Sequence, residues 1–181
     1  MRPIGFPTVG VALSAVSFLA LLPAAAGPTQ AEEPATATGT HEVVPADAAG
    51  LFDYLKSGSY KSFRARESAT HPSAGPHTQV GLPVRVFMNE KLDQSLQSGH
   101  AQHPQGAAVV KEMFTEGGDL RGWAVAIKTD VDSDDGNGWY WYEVKSTTDN
   151  RRPVAAGKGV ALCSGCHVAG QDFVLSQYPL Q

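Results

Sequence analysis

Leu120-Arg121-Gly122-Trp123-Ala124-Val125-Ala126-Ile127-Lys128-Thr129 and Trp139-Tyr140-Trp141-Tyr142-Glu143-Val144 are the stretches that decide the fold. The first alternates Trp123, Val125 and Ile127 onto one side, and the second is almost wholly aromatic. Both compositions suit a pleated, half-buried surface. Between them lies Asp130-Val131-Asp132-Ser133-Asp134-Asp135-Gly136. It resembles the opening of a calcium loop, but its glycine comes one position late and Trp141 stands where the terminal glutamate belongs. The stretch therefore reads as an acidic hairpin turn, and strands joined by a hairpin run antiparallel.

Upstream, Pro83 to Met88 alternates Val84, Val86 and Met88 against Arg85 and Phe87, a strand with an arginine on its second face. Asn89 is placed to cap a short helix carrying Leu92 and Leu96, with Gly99 as its stop. In the next segment, Ala107 to Phe114, Lys111 shares a face with Ala107, Val109 and Met113. That face is either partly solvated, or it aims an amine into an apolar pocket where its pKa falls and its nitrogen becomes nucleophilic. Further back, Asp47 can cap a helix through about Ser57, ended by Gly58, with Leu51, Tyr54 and Leu55 on the face that packs on the sheet. Arg64 to Leu82 is aperiodic and reads as a long loop bearing His71 and His77.

Cys163-Ser164-Gly165-Cys166-His167 carries the chemistry. The chain holds two cysteines, and both are in this motif. Cysteines one helical turn apart can each bond a vinyl group on one haem, with the adjoining histidine reaching the iron; C-x-x-C-H is read as c-type haem attachment for that reason. Two other readings compete. A dithiol redox switch belongs at a strand-to-helix turn of a thioredoxin-like unit, and nothing of that kind precedes Cys163. A zinc site would need two further ligands, for which His100 and His103 are the candidates.

The amino terminus reads as an address. Arg2 is followed by an apolar run from Val9 to Leu22, then by small residues at Ala24-Ala25-Ala26 and Thr29-Gln30-Ala31, the pattern of a secretory signal peptide over residues 1–31, cleaved after Ala26 or Ala31. Pro23 ends the run short of the ~20 apolar residues a membrane span requires, so no span is expected after cleavage. Export to the periplasm or beyond agrees with haem attachment, which takes place outside the bacterial cytoplasm. Residues 32–44 read as a flexible leader and 45–181 as one haem domain, long enough for a real core. Without Arg2 the chain carries 13 basic against 18 acidic residues, net −5. This balance gives no electrostatic reason to expect a nucleic-acid partner.

The expected class is α+β: a mainly antiparallel sheet with a few helices, and a C-terminal helical segment carrying the C-x-x-C-H motif. In order, Val84 to Asn89, Pro104 to Glu112, Gly122 to Val125, Trp139 to Glu143 and Cys163 to His167 resemble the cytochrome P-460 family and its relatives, the cytochromes c′-beta. The likeness spans roughly residues 50 to 178.

The resemblance implies one covalent haem c, an open iron face, a homodimer, and redox chemistry on hydroxylamine or nitric oxide with a partner cytochrome. Residue by residue, it implies that Cys163 and Cys166 anchor the haem, that His167 ligates the iron, that Lys111 is the lysine joined to the porphyrin, and that Arg85 lines the distal pocket. Oxidation of hydroxylamine also needs a base. No carboxylate immediately precedes Cys163, and Glu112 and Glu143 are the candidates, although alternation turns Glu112 away from Lys111. Two other functions fit the same motif: a nitric oxide binder capped by Phe87 or Phe114, and an electron carrier with a sixth ligand from His71, His77, His100, His103 or Met113.

Overall fold

Asp47 opens the first helix, α1 (Ala48–Ser57), by accepting the Gly50 N–H at 2.8 Å, and Gly58 closes it at φ 76°, in the left-handed region that glycine occupies without a Cβ clash. The structure, a computed structural model, describes residues 43–181. The expected signal peptide lies outside the described residues, as does the expected leader except for Val43 and Val44; Val44 is buried in the core.

The remaining elements are two short strands, β1 (Ala65–Arg66) and β2 (His71–Pro72), then β3 (Pro83–Met88), α2 (Glu90–Gln97), β4 (Ala108–Phe114), β5 (Leu120–Lys128), β6 (Trp139–Val144), β7 (Ala155–Lys158) and α3 (Ala161–His167). All seven strands form one sheet in the order β1-β3-β4-β5-β6-β7, with β2 also on β3, and every pairing is antiparallel. The class is α+β, as expected, and β5 and β6 run antiparallel as the hairpin reading requires. The segment Arg64 to Leu82, expected as loop, contributes β1 and β2 because the backbone groups of β3 offer it a free edge to pair with. Asn89 caps α2 as expected. Its Oδ1 accepts from both Leu92 N (3.1 Å) and Ala108 N (2.9 Å), which ties the helix start to β4.

Register separates the two faces of the sheet, because side chains alternate along each strand. One face carries Phe87, Val110, Val125 and Tyr142 in one cross-strand row, and Arg85, Glu112, Trp123 and Val144 in the next. It is covered by α1 and by Tyr60 and Phe63 from the following turn, which together make the larger core. The other face carries Val86, Lys111, Ala124, Glu143 and Ala155 in one row, and Met88, Val109, Ala126, Trp141 and Gly157 in the next. At one end of this face Leu92, Trp139, Trp141 and Val174 form a second core. The rest stays open beneath α3.

The acidic hairpin turn positions α3. A Cβ on Gly136, at φ 96°, would stand 2.5 Å from Ser164 Cβ, so only glycine lets the turn lie this close to the helix. Trp141 Nε1 donates to Gly136 O at 3.3 Å and fixes the turn to the strand beneath it.

Candidate functional site

The open face of the sheet encloses a cavity of about 570 Å³, within the range of ligand and cofactor pockets, roughly 300–1,000 Å³. Ala124, Ala126 and Val109 supply a floor of small side chains, and Trp141 stands at one side. Cys163, Cys166 and His167 from α3 form one wall, His77 belongs to the segment 74–77 on another, and Lys111 and Glu143 lie on the strands. Exposed Val154, Leu162 and Leu175 stand on the lining as well, so the opening has an apolar rim.

The protonation pattern follows from chemistry. His167 Nδ1 lies 2.8 Å from Phe173 O; a carbonyl only accepts, so Nδ1 carries the proton and Nε2 keeps the free lone pair. Burial, with a smaller push from His77 and Lys111, holds the imidazole below its ordinary pKa and therefore neutral, the form that binds a metal. His77 Nδ1 donates to Glu143 Oε2 at 2.7 Å by the same logic, and its ring centre is 5.9 Å from that of His167. Burial also lowers the Lys111 amine, against the pull of Glu67 and Glu143. Both cysteines are free, and burial first, then Glu143, pushes the Cys163 thiol up to about 11. A dithiol redox switch needs the opposite shift, toward thiolate at neutral pH.

Lys111, Cys163, Cys166 and His167 thus share one cavity. Arg85, expected beside them, does not. Arg85 pairs in register with Glu112 and not with Lys111, so its side chain falls on the α1 face, where Nε donates to Glu67 O at 2.8 Å and the guanidinium sits 5.1 Å from the Phe87 ring centre. Phe87 packs edge-on against Tyr60 on that same face, away from the cavity. Glu112 accepts from Tyr60 Oη at 2.5 Å and is buried. Of the two candidate carboxylates, only Glu143 borders the cavity.

Among the five candidate sixth ligands, only His77 lines the cavity. The buried His103 donates from Nε2 to Gln171 O (3.2 Å) and takes up Ser95 Oγ at Nδ1 (2.8 Å), which leaves no lone pair for zinc or iron. His71 is exposed and engages Glu67 and the Pro72 carbonyl. Among the described residues, no group of three or more His, Cys, Asp or Glu side chains is arranged to hold a metal ion by itself. None of their helices is long and apolar enough to cross a membrane.

The residues fit a c-type haem on three counts: two thiols and a one-sided imidazole on one wall, a floor of alanines that leaves room for a flat macrocycle, and a predominantly apolar lining. Comparison with protein-family models finds no match to this chain, and comparison with curated proteins finds none either. The pairing of His77 with Glu143, 66 positions apart, has no local signature in sequence.

Proposed function

We propose that this chain is an exported mono-haem c-type cytochrome of the P-460 kind, acting by redox chemistry on hydroxylamine or nitric oxide and passing electrons to a partner cytochrome. The observation that carries the reading is the convergence on one cavity of Cys163, Cys166, the free Nε2 of His167 and the half-buried amine of Lys111. Cys163 and Cys166 would hold the macrocycle through thioethers, and His167 would ligate the iron through Nε2. Bound haem would supply the iron that coordinates a small nitrogen compound and accepts its electrons. Lys111, kept toward its neutral form by burial, is the nucleophile available for a bond to the macrocycle.

The chain's own part is to hold protons and exclude water. Glu143 is the carboxylate on the cavity wall, and His77 donates to its Oε2, so the pair offers a proton acceptor at Glu143 Oε1 or His77 Nε2. Lys145 Nζ lies 3.5 Å from Oε1 of the same carboxylate. Arg85 takes no part in this reading. A homodimer and a periplasmic or secreted location belong to the same proposal, and rest on the resemblance and the amino-terminal pattern.

A second reading is favoured by the imidazole pair: His77 would offer the iron a second imidazole beside that of His167, and the protein would carry electrons only. The optical spectrum of the ferrous protein, expressed with haem-attachment machinery, separates the two. A red-shifted, broadened Soret band that reverts to an ordinary c-type band in Lys111→Leu supports the P-460 reading. A low-spin spectrum that turns high-spin in His77→Ala supports electron transfer instead.

A further inference from the structure

His167 is oriented through Phe173 O, so whatever fixes that carbonyl fixes the imidazole. The carbonyl sits in a tight turn closed by the Gln171–Val174 bridge, with Val174 N donating to Gln171 O at 2.9 Å. Asp172 and Phe173 adopt φ values of 44° and 67°, left-handed backbone that residues with a Cβ rarely occupy. Such a turn persists only where its surroundings impose it.

The surroundings here are a buried charge cluster that the proposed chemistry does not use. Lys128 Nζ, fully buried at the end of β5, reaches the two Asp172 oxygens at 3.0 and 3.3 Å. Ser133 Oγ donates to the same carboxylate, and His103 N donates to it at 2.7 Å. His103 Nε2 holds the neighbouring Gln171 O, and Gln171 Nε2 donates to His100 O at 2.6 Å. Burial alone would raise the Asp172 pKa; Ser133, the His103 amide and Lys128 outweigh it and hold the carboxyl below its usual range. Three separate segments therefore clamp two residues whose next carbonyl is the His167 acceptor. Lys128, Ser133 and Asp172 do not line the cavity.

We infer that the Lys128–Ser133–Asp172 cluster is a positioning device for His167: it holds the turn that presents Phe173 O, and so sets the tautomer and electron-donating strength of the imidazole from outside the cavity. Outer partners of metal-bound histidines act in this way, and losing one typically changes site properties by about 10–100-fold. The inference deepens the haem reading and rests on it for its effect on iron, while the tautomer of His167 can be read without any haem.

The test compares wild type with Asp172→Asn, which keeps the shape and removes the charge, and with Ser133→Ala as the milder variant should the first not fold. Glu112→Gln, a buried carboxylate lost on the opposite face, is the control for a merely structural effect. In the haem-free protein, nitrogen NMR of His167 is expected to show the Nδ1–H tautomer in wild type and in Glu112→Gln, and a mixture in the cluster variants. In the haem-loaded protein, the cluster variants are expected to retain covalent haem but shift the reduction equilibrium by about tenfold toward the reduced state, about 59 mV for one electron. A weaker hydrogen bond at Nδ1 makes the imidazole a poorer donor, which sets this sign. An unchanged tautomer in a folded cluster variant overturns the inference, as does an equal shift in Glu112→Gln. Failure of wild type to carry haem overturns the haem reading alone.

Discussion

The two faces of this sheet are built from the same strands by alternate residues, and they have opposite characters. Toward α1, every buried polar group of the central row is answered: Tyr60 Oη donates to Glu112 at 2.5 Å, Trp123 Nε1 donates to Tyr60 Oη at 3.0 Å, and Arg85 is held by Glu67 O. Toward α3, the neighbouring residues Lys111 and Glu143 face a cavity floored by alanine. A satisfied network makes a rigid core. A row of small side chains beneath a half-buried amine, a carboxylate and two imidazoles makes a candidate site. The difference is one residue of register, since Lys111 and Glu112 are adjacent in sequence and serve opposite sides.

Filling the cavity floor is the strongest way to break this contrast. Ala124→Phe is expected to abolish covalent cofactor incorporation, at least a tenfold loss of haem per polypeptide by pyridine haemochrome assay, with the haem-free domain still folded by circular dichroism. An unchanged haem content in that variant would mean the cofactor lies elsewhere.

The closed face gives the converse result. Tyr60→Phe strands Glu112 without its main partner, and leaving a buried charged acceptor unsatisfied costs about 1–3 kcal/mol or somewhat more. Denaturant unfolding should register that loss while the haem spectrum stays as in wild type; a spectral change would show that the two faces are coupled.

A smaller effect concerns Lys111 in the haem-free protein. Burial depresses its pKa, so folding disfavours the charged amine. The penalty is present in full below the folded-state pKa, shrinks as pH rises through it, and is gone above the unfolded value of about 10.4. Stability should therefore rise relative to Lys111→Leu as pH increases through the alkaline range, by on the order of 1 kcal/mol. Parallel pH–stability curves for the two proteins would contradict a buried amine.

Much of the scaffold was legible because its signals are local. Asp47 and Asn89 are caps, Gly58 is a left-handed stop, and the alternation of Pro83–Met88 and the aromatic run of Trp139–Val144 mark strands whose observed bounds match the reading. The C-x-x-C-H motif is likewise local, and α3 spans it. What failed was register. Nothing within β3 tells whether Arg85 or Val86 stands opposite Lys111, and the answer moved Arg85 to the far face. Long-range partners were equally hidden: His77 meets Glu143 through a loop with no periodicity, and Asp172 meets Lys128 across 44 positions. His103 misled in the other direction, since a His-x-x-His spacing gives no hint that Ser95 and Gln171 occupy both ring nitrogens.

The central claim is that the α3 wall of the cavity carries a macrocycle bound through both sulfurs. Intact-mass analysis of the exported protein, made with haem-attachment machinery, tests it most directly. The account predicts the processed polypeptide plus one haem, an increment lost when Cys163 and Cys166 are both changed to alanine. A mass equal to the polypeptide alone, or zinc in place of iron by metal assay, would contradict it.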